Sequence, residues 1–382
     1  MRSTAVASKQ NQRTEQSADS RNPNHRNTSG CSNQYNAFDD QRERSSMSSK
    51  LNHQVRLAAR PEGLPKESDW QFTEEKLPVL KDGELLVKNH YISIDPAMRG
   101  WMNDADTYVP RLQLGDVMRA LTVGEVIDSR NTVFTKGEFV AGAGGMQEYS
   151  VFNGKMLTQA DLSLAPPEAY LNALGIAGLT AYCGLIKVGE AKSGQTVVVS
   201  GAAGSVGTHV GQIAKILGCR AIGVAGGANK CAFLTDRLGF DGAIDYKSED
   251  LGKALDRTCP DGIDIFFDNV GGAILDAALA RIKFHARVVI CGAISAYNKK
   301  HAIEGPSNYL NILIRSARME GYIYFDWRNE WPEMIQELAG WLKAGKLTCP
   351  DDIVEGGIKA FPDTLLRLFR GDNLGKLMLK LV

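Results

Sequence analysis

Gly201-Ala202-Ala203-Gly204-Ser205-Val206-Gly207 places glycine at every third position, just after an apolar run of β-formers, Thr196–Ser200. An apolar helical repeat follows, with Val206, Val210, Ile213, Ala214 and Leu217 on one face. Glycine at such a junction serves three physical needs: a tight turn, close approach of backbone to a pyrophosphate, and close packing of helix on strand. The helix start then offers free N–H groups and the positive end of its dipole, which is anion-binding chemistry. The spacing is G-x-x-G-x-x-G rather than G-x-G-x-x-G, so its place between a buried strand and an amphipathic helix carries the argument for a dinucleotide.

The second apolar strand ends in Ala225-Gly226-Gly227, without the acid that would bind an adenosine ribose 2′-hydroxyl. A carboxylate there would repel a 2′-phosphate, and its absence leaves room for one. Lys230 could pair with that phosphate and Tyr246 could cover the adenosine end, which favours NADP(H) as cofactor. Taken alone, Lys230 reads as a solvated helix lysine. Two later strand ends, Asp268–Gly272 and Cys291–Asn298, point into the same crevice, because ligands of open parallel sheets bind at the carboxyl ends of strands. They are expected to reach the nicotinamide half. Asn269 could equally be a turn residue satisfying its own backbone.

The elements that must hold these residues fall into two parts. From Leu51 to about Ala169 the pattern is mostly β, with short runs such as Glu84–Lys88, Leu121–Ile127 and Phe139–Ala141 punctuated by Gly and Pro. An antiparallel, barrel-like domain is expected there. From Leu171 on, a helix to Ile186 is followed by strands alternating with helices, each strand apolar throughout, which predicts a parallel sheet covered on both faces. A helix through Trp331–Leu342 and a strand over Lys376–Leu381 close the chain, and that strand is expected to rejoin the first domain.

With 382 residues the chain is long enough for two domains, and its 43% hydrophobic and 23% charged content is that of a globular protein. Zero formal net charge argues against nucleic acid or an acidic membrane surface as main partner. No apolar run of about 18 residues predicts a membrane span. The seven cysteines are scattered and form no C-x-x-C, a poor disulfide framework and a poor zinc site, so no metal is expected and a reducing, cytoplasmic compartment fits best. Residues 1–50 contain no Leu and no Ile and are expected to be a disordered extension. They lack the apolar core of a secretory signal. Their Arg and Ser content suggests a transit peptide, but Asp19, Asp39, Asp40 and Glu43 weigh against one, and Met47 offers a second possible start.

Together, Gly201–Lys215, Phe267–Gly272, Cys291–Asn298 and Gly371–Lys376 resemble the prostaglandin reductase (leukotriene B4 12-hydroxydehydrogenase) and curcumin reductase branch of the medium-chain dehydrogenase/reductases. The likeness spans roughly residues 51–382. It implies an α/β fold: a Rossmann doubly wound parallel sheet over 179–326, plus a GroES-like β-rich catalytic domain over 51–178 completed by 327–382. It implies that Gly201, Gly204, Ser205, Val206 and Gly207 hold the pyrophosphate, and that Lys230 and Tyr246 recognise the 2′-phosphate end. Asn269, the loop Cys291, Gly292, Ala293, Ile294 and Ser295, and the segment Tyr322, Ile323 and Tyr324 would line the nicotinamide, with Asn373 closing over the cofactor. Tyr297 would contact the nicotinamide ribose and the substrate oxygen. A homodimer is implied on the same ground alone.

One segment departs from the family pattern. Asp95-Pro96-Ala97-Met98-Arg99 has alanine where the family usually has tyrosine, so either Tyr297 suffices as a phenol or Tyr108 substitutes. The Cys/His ligands of the zinc alcohol dehydrogenases are missing from the sequence. The activity expected is therefore NADPH-dependent reduction of the C=C bond of an enone or enal, with Tyr297 as the catalytic hydrogen-bond donor. The alternatives are quinone reduction and a non-catalytic NADPH sensor. Trp101, Tyr108, Met146 and Tyr309 are candidates to line the substrate pocket.

Overall fold

The computed structural model describes residues 50–105 and 107–382. The disordered extension expected for residues 1–50, with its second start at Met47, lies outside these residues except for Lys50.

Strands β1 (Leu51–Leu57) and β2 (Trp70–Lys76) make an antiparallel pair. A larger sheet follows, built from β3 (Leu85–Ser93), β4 (Thr122–Ser129), β5 (Phe139–Gly142), β6 (Tyr149–Phe152) and β7 (Thr158–Gln159). Its hub is β3, which pairs with both β4 and β6. A five-residue helix, α1 (Ala97–Trp101), turns the chain immediately after β3.

The helix expected over Leu171–Ile186 begins later, as α2 (Ile176–Tyr182) continued by a wider π turn to Val188. Close packing stops it starting earlier. A Cβ on Gly175 would lie 2.0 Å from the Tyr170 carbonyl oxygen, and one on Gly178 would lie 1.8 Å from that of Ala173. The apolar pattern is continuous there, but the backbone folds back on itself.

The second part alternates β8 (Thr196–Ser200), α3 (Ser205–Ile216), β9 (Arg220–Ala225), α4 (Ala228–Ala232), β10 (Gly242–Asp245), α5 (Leu251–Thr258), β11 (Ile263–Asp268), α6 (Gly272–Leu279), β12 (Ile282–Ile290), α7 (Leu310–Ile314) and β13 (Arg318–Gly321). The six strands are parallel, in the order β10-β9-β8-β11-β12-β13. Val197 and Val199 of β8 face one buried core and Val198 the other, all at 0% exposure. That is why the run is apolar throughout rather than alternating. Each such valine contributes roughly 1.5–3 kcal/mol by leaving water.

The chain then forms α8 (Trp331–Lys343), β14 (Asp351–Val354), α9 (Phe361–Arg370) and β15 (Lys376–Lys380). As expected, β15 returns to the first sheet, antiparallel to β3 and parallel to β14. The order of that sheet is β14-β15-β3-β4-β5-β7.

Candidate active site

The strand order of the parallel sheet reverses between β8 and β11, and a doubly wound sheet opens a crevice at such a point. The turn leaving β8 supports phosphate binding on geometric grounds. Gly201 has φ +59°, and a Cβ on Gly207 would lie 2.4 Å from the Gly201 carbonyl oxygen. Hydrogen at Gly207 lets α3 start this close to β8, and Gly201 takes a left-handed turn that other residues rarely adopt. Gly204 is the N-cap, with no side chain bonding the first turn, so the N–H groups of that turn remain available to an anion. Ser205 and Val206 open the helix. The C-terminal segment straps this turn: the Gly375 N–H donates to the Ala203 carbonyl at 2.9 Å. Asn373, 8% exposed, donates from Nδ2 to the Gly375 carbonyl at 3.1 Å.

At the end of β9 the backbone turns through Gly227, φ +99°, whose N–H donates to Asp245 Oδ1 at 2.7 Å. That bond and the Lys247 N–H hold the Asp245 carboxyl below its ordinary range. Lys230 lies on α4, and burial, followed by the nearby Lys247 charge, lowers its ammonium from the ordinary value. Asp372 and Asp352 act on Lys230 in the opposite sense. Tyr246, 45% exposed, and Lys247 both lie over Gly226, where a Cβ would meet Lys247 Cε at 2.8 Å and Tyr246 Cε1 at 3.0 Å. Neither lysine is ion-paired with a carboxylate among the described residues. At Lys230 burial and the Lys247 charge outweigh those two aspartates, an environment that a doubly charged phosphate would relieve. Lys247 escaped the sequence reading, although it directly follows Tyr246 at a strand end.

The two later strand ends are zipped to each other. N–H groups of Cys291 and Gly292 donate to the Asp268 carbonyl, that of Ile294 to Asn269, and that of Ser295 to Val270. Asn269 is not capping its own turn. Its Nδ2 donates to the Ser200 carbonyl at 2.7 Å and its backbone N–H to Ser200 Oγ at 2.8 Å, tying β11 to β8 at the crevice. Asp268 accepts from Ser200 Oγ at 2.6 Å and from the Val270 and Gly271 N–H groups. Burial still raises its carboxyl, outweighing those bonds. Packing also pushes the Cys291 thiol up to about 12. Tyr297 folds back over this loop, and its Oη accepts from the Ala293 N–H at 3.1 Å. Burial raises that phenol, so it stays protonated.

Beyond β13, the Tyr322 hydroxyl donates to the Thr180 carbonyl at 2.6 Å, and the Tyr324 ring stacks on Trp331 at 5.1 Å. Ile323 lies between them, half-buried. Tyr108 is 53% exposed, and burial of its hydroxyl end raises the phenol while the Trp101 indole N–H lowers it. Trp101 is 8% exposed and donates from Nε1 to Tyr108 Oη at 3.3 Å. Two of the expected pocket residues lie elsewhere. Met146 is fully buried in the core with Val55 and Met118, and Tyr309 stands exposed on the turn that Asn308 ties to Asp276 of α6. Their apolar character reflects packing in one case and surface in the other.

A second feature missed in the sequence lies under the strap. Lys376, 0% exposed, reaches from β15 to Asp95 Oδ1 at 2.6 Å and Ser93 Oγ at 2.5 Å, and Ser93 Oγ also donates to Asp95. The residue that follows the strap thus grips the segment leading into α1. Only an Asp-Pro step after an apolar strand hinted at it.

No group of three or more His, Cys, Asp and Glu side chains able to hold a metal occurs among the described residues. Residues 53–160 match the family described as N-terminal domain of oxidoreductase, and residues 205–340 the family described as zinc-binding dehydrogenase. The chain is 40% identical over 331 residues to 2-alkenal reductase (NADP(+)-dependent) of Nicotiana tabacum, covering 85% of this chain and 96% of that protein. It is 36% identical over 329 residues to NADPH-dependent curcumin reductase of Escherichia coli, covering 85% and 95%. The crystal structure of CurA in complex with NADPH from Vibrio vulnificus superposes with a TM-score of 0.82 at 38% identity, over 86% of this chain and 99% of that one.

Proposed function

The chain belongs to the zinc-independent curcumin and prostaglandin reductase branch of the medium-chain dehydrogenase/reductases, and on that premise we propose that it reduces the C=C bond of α,β-unsaturated ketones and aldehydes with NADPH. The observation that carries this reading is the placing of Lys230 and Lys247, neither ion-paired with a carboxylate among the described residues, at the turn after β9, together with a buried, protonated Tyr297 phenol on the loop after β12.

Lys230, Lys247 and Tyr246 would hold the 2′-phosphate end, and Gly201 to Gly207 the pyrophosphate. Asn269, the Cys291–Ser295 loop and the Tyr322–Tyr324 segment would frame the nicotinamide, with Asn373 closing the strap. When bound, NADPH supplies the hydride that adds to the β-carbon of the substrate, and a solvent proton at the α-carbon completes the reduction. Negative charge then builds on the substrate oxygen as an enolate, and a hydrogen-bond donor aimed there stabilises the transition state. Tyr297 is suited to this role, because its Oη accepts from a backbone N–H and keeps its own proton to donate. The test is NADPH consumption across a panel of enals, enones, quinones and aldehydes. Turnover of enals or enones supports the reading. Turnover of quinones alone makes it a quinone reductase, and NADPH binding without turnover makes it a sensor.

We assign the catalytic domain to residues 51–178 with 327–382, and the cofactor domain to 179–326, on the grounds of the two sheets. A homodimer through β13 fits the surface: all four residues of that edge strand are exposed, Met319 among them, beside exposed Leu310, Leu313 and Ile314. Unpaired strand edges flanked by apolar side chains invite a second copy. Light scattering at the monomer mass would remove this assignment. The six described cysteines are all free, which agrees with a reducing, cytoplasmic setting.

A further inference from the structure

We propose that Lys376 is a positioning residue for the cofactor: its ammonium locks residues 93–95 to the strap, so that NADPH on the phosphate turn and the start of α1 are fixed together. The proposal rests on the NADPH-binding reading of that turn and gives the turn a partner in the other sheet.

Lys376 opens β15, directly after the strap. The residue before it, Gly375, donates its N–H to the Ala203 carbonyl at 2.9 Å and forms a parallel bridge with Gly204. Gly204 is the N-cap of α3, so the strap lies on the turn assigned to the pyrophosphate. Gly375 has φ +74°, and a Cβ there would lie 2.3 Å from the Pro350 carbonyl oxygen. The same carbonyl accepts from the Lys376 N–H at 2.9 Å. Backbone contacts therefore seat residues 375 and 376 between Pro350 and the phosphate turn.

The Lys376 side chain reaches into the first sheet. Its Nζ donates to Asp95 Oδ1 at 2.6 Å, to Ser93 Oγ at 2.5 Å and to the Ile94 carbonyl at 3.5 Å. All three ammonium protons are thus taken by three consecutive residues. Ser93 Oγ donates in turn to Asp95 Oδ2, so both carboxylate oxygens are engaged. Lys376 and Ser93 are 0% exposed and Asp95 8%. The Asp95 carbonyl accepts from the Met98 N–H at 3.0 Å, which starts α1. The Ile94 N–H donates to the Leu377 carbonyl at 3.0 Å, a second tie between the two segments.

Stability alone does not call for this arrangement, since apolar residues of similar volume often replace a buried ion pair without loss. What the pair adds is register, because a buried charge is compensated only where its partner stands. Register matters here: a shift of Lys376 moves Gly375 on the phosphate turn, and with it Asn373, whose Nδ2 bonds the Gly375 carbonyl at 3.1 Å. Coupling of this kind is reciprocal. NADPH that holds the turn also holds the start of α1, and loosening the anchor weakens NADPH.

Fluorescence titration of Lys376→Met and Ser93→Ala with NADPH and NADH tests this. Lys376→Met is expected to raise both dissociation constants about tenfold, and Ser93→Ala about fivefold, within the usual range for coupled sites. An equal effect on the two cofactors separates the anchor from the 2′-phosphate contacts. Ser93→Ala keeps the ion pair, so it decides the matter alone if Lys376→Met does not fold. Amide hydrogen exchange adds a readout that lowered stability does not mimic. NADPH is expected to slow exchange across residues 98–101 in the wild type, and to slow it less in either variant. Folded variants that bind both cofactors within twofold of the wild type, or that show the full slowing, would reduce Lys376 to a structural pair and overturn the proposal, while NADPH binding stands. If the wild type binds neither cofactor, the reading of the phosphate turn falls first.

Discussion

Lys230 and Lys247 owe their proposed role to what stands beside them. A lysine on a short helix is ordinary, but burial and a neighbouring ammonium both disfavour its charge. An anion that relieves this repulsion binds with more than the energy of one exposed ion pair. Lys230→Ala is expected to raise the dissociation constant for NADPH by roughly 10–100-fold, the cost of losing about 1.5–3 kcal/mol in a charged hydrogen bond. Binding of NADH, which lacks the 2′-phosphate, should stay within about twofold. Parallel fluorescence titrations with both cofactors check this, and an equal loss for both would remove Lys230 from phosphate recognition. Of these residues, Lys230 and Tyr246 were legible in the sequence because they follow strand ends. Lys247 was not, since only the fold shows that its side chain crosses Gly226 beside Tyr246.

At the scale of elements, α3 is held by more than its glycines. His209, fully buried on this helix, bonds through Nδ1 to the Ser205 carbonyl at 2.7 Å, while its Nε2 has no partner among the described residues. Burial, as the first cause, pushes it down to about 4, with Lys376 acting in the same direction. The imidazole is therefore neutral in the fold but free to protonate when unfolded, below its ordinary value of 6.5. Its contribution is complete above pH 6.5 and is lost as pH falls toward about 4. By about pH 5 this single group should have cost about 2 kcal/mol of stability, at about 1.4 kcal/mol per pH unit. Urea denaturation at a series of pH values checks this against His209→Gln, whose curve should lack that one-proton slope. Identical slopes would show that His209 does not govern the acid limb. The start of α3 was legible from its glycine spacing. The start of α2 was not, because contacts of Gly175 and Gly178 with carbonyls five residues back interrupt an unbroken apolar pattern.

In the whole molecule, β15 stitches the two sheets together. Gly375 bonds the phosphate turn of the parallel sheet, and Lys376 reaches the Asp95 carboxylate at the end of β3. A buried pair of this kind is dangerous to break, since removing one partner leaves the other charge desolvated. Lys376→Met is expected to cost roughly 3–5 kcal/mol. Asp95→Asn combined with Lys376→Met should recover part of that loss, because no unpaired charge remains. Urea unfolding of both variants checks the sign. A double variant less stable than Lys376→Met alone would show that the pair acts by more than mutual neutralisation. The parallel sheet was legible from apolar strands alternating with helices and the return of the last strand was expected, whereas the strand order was not read from the sequence.

The sequence by itself determined the class of ligand and the class of fold. Both depend on local physics: hydrogen in place of a side chain at Gly201 and Gly207, the missing acid after β9, and apolar runs that need cover on both faces. Tertiary structure decided which side chains share the crevice. Lys376 and Asp95 lie far apart along the chain yet meet, as do Asn269 and Ser200, and Met146 lies in the core. Such meetings depend on how two sheets pack across a reversal of strand order, and no residue spacing encodes that distance.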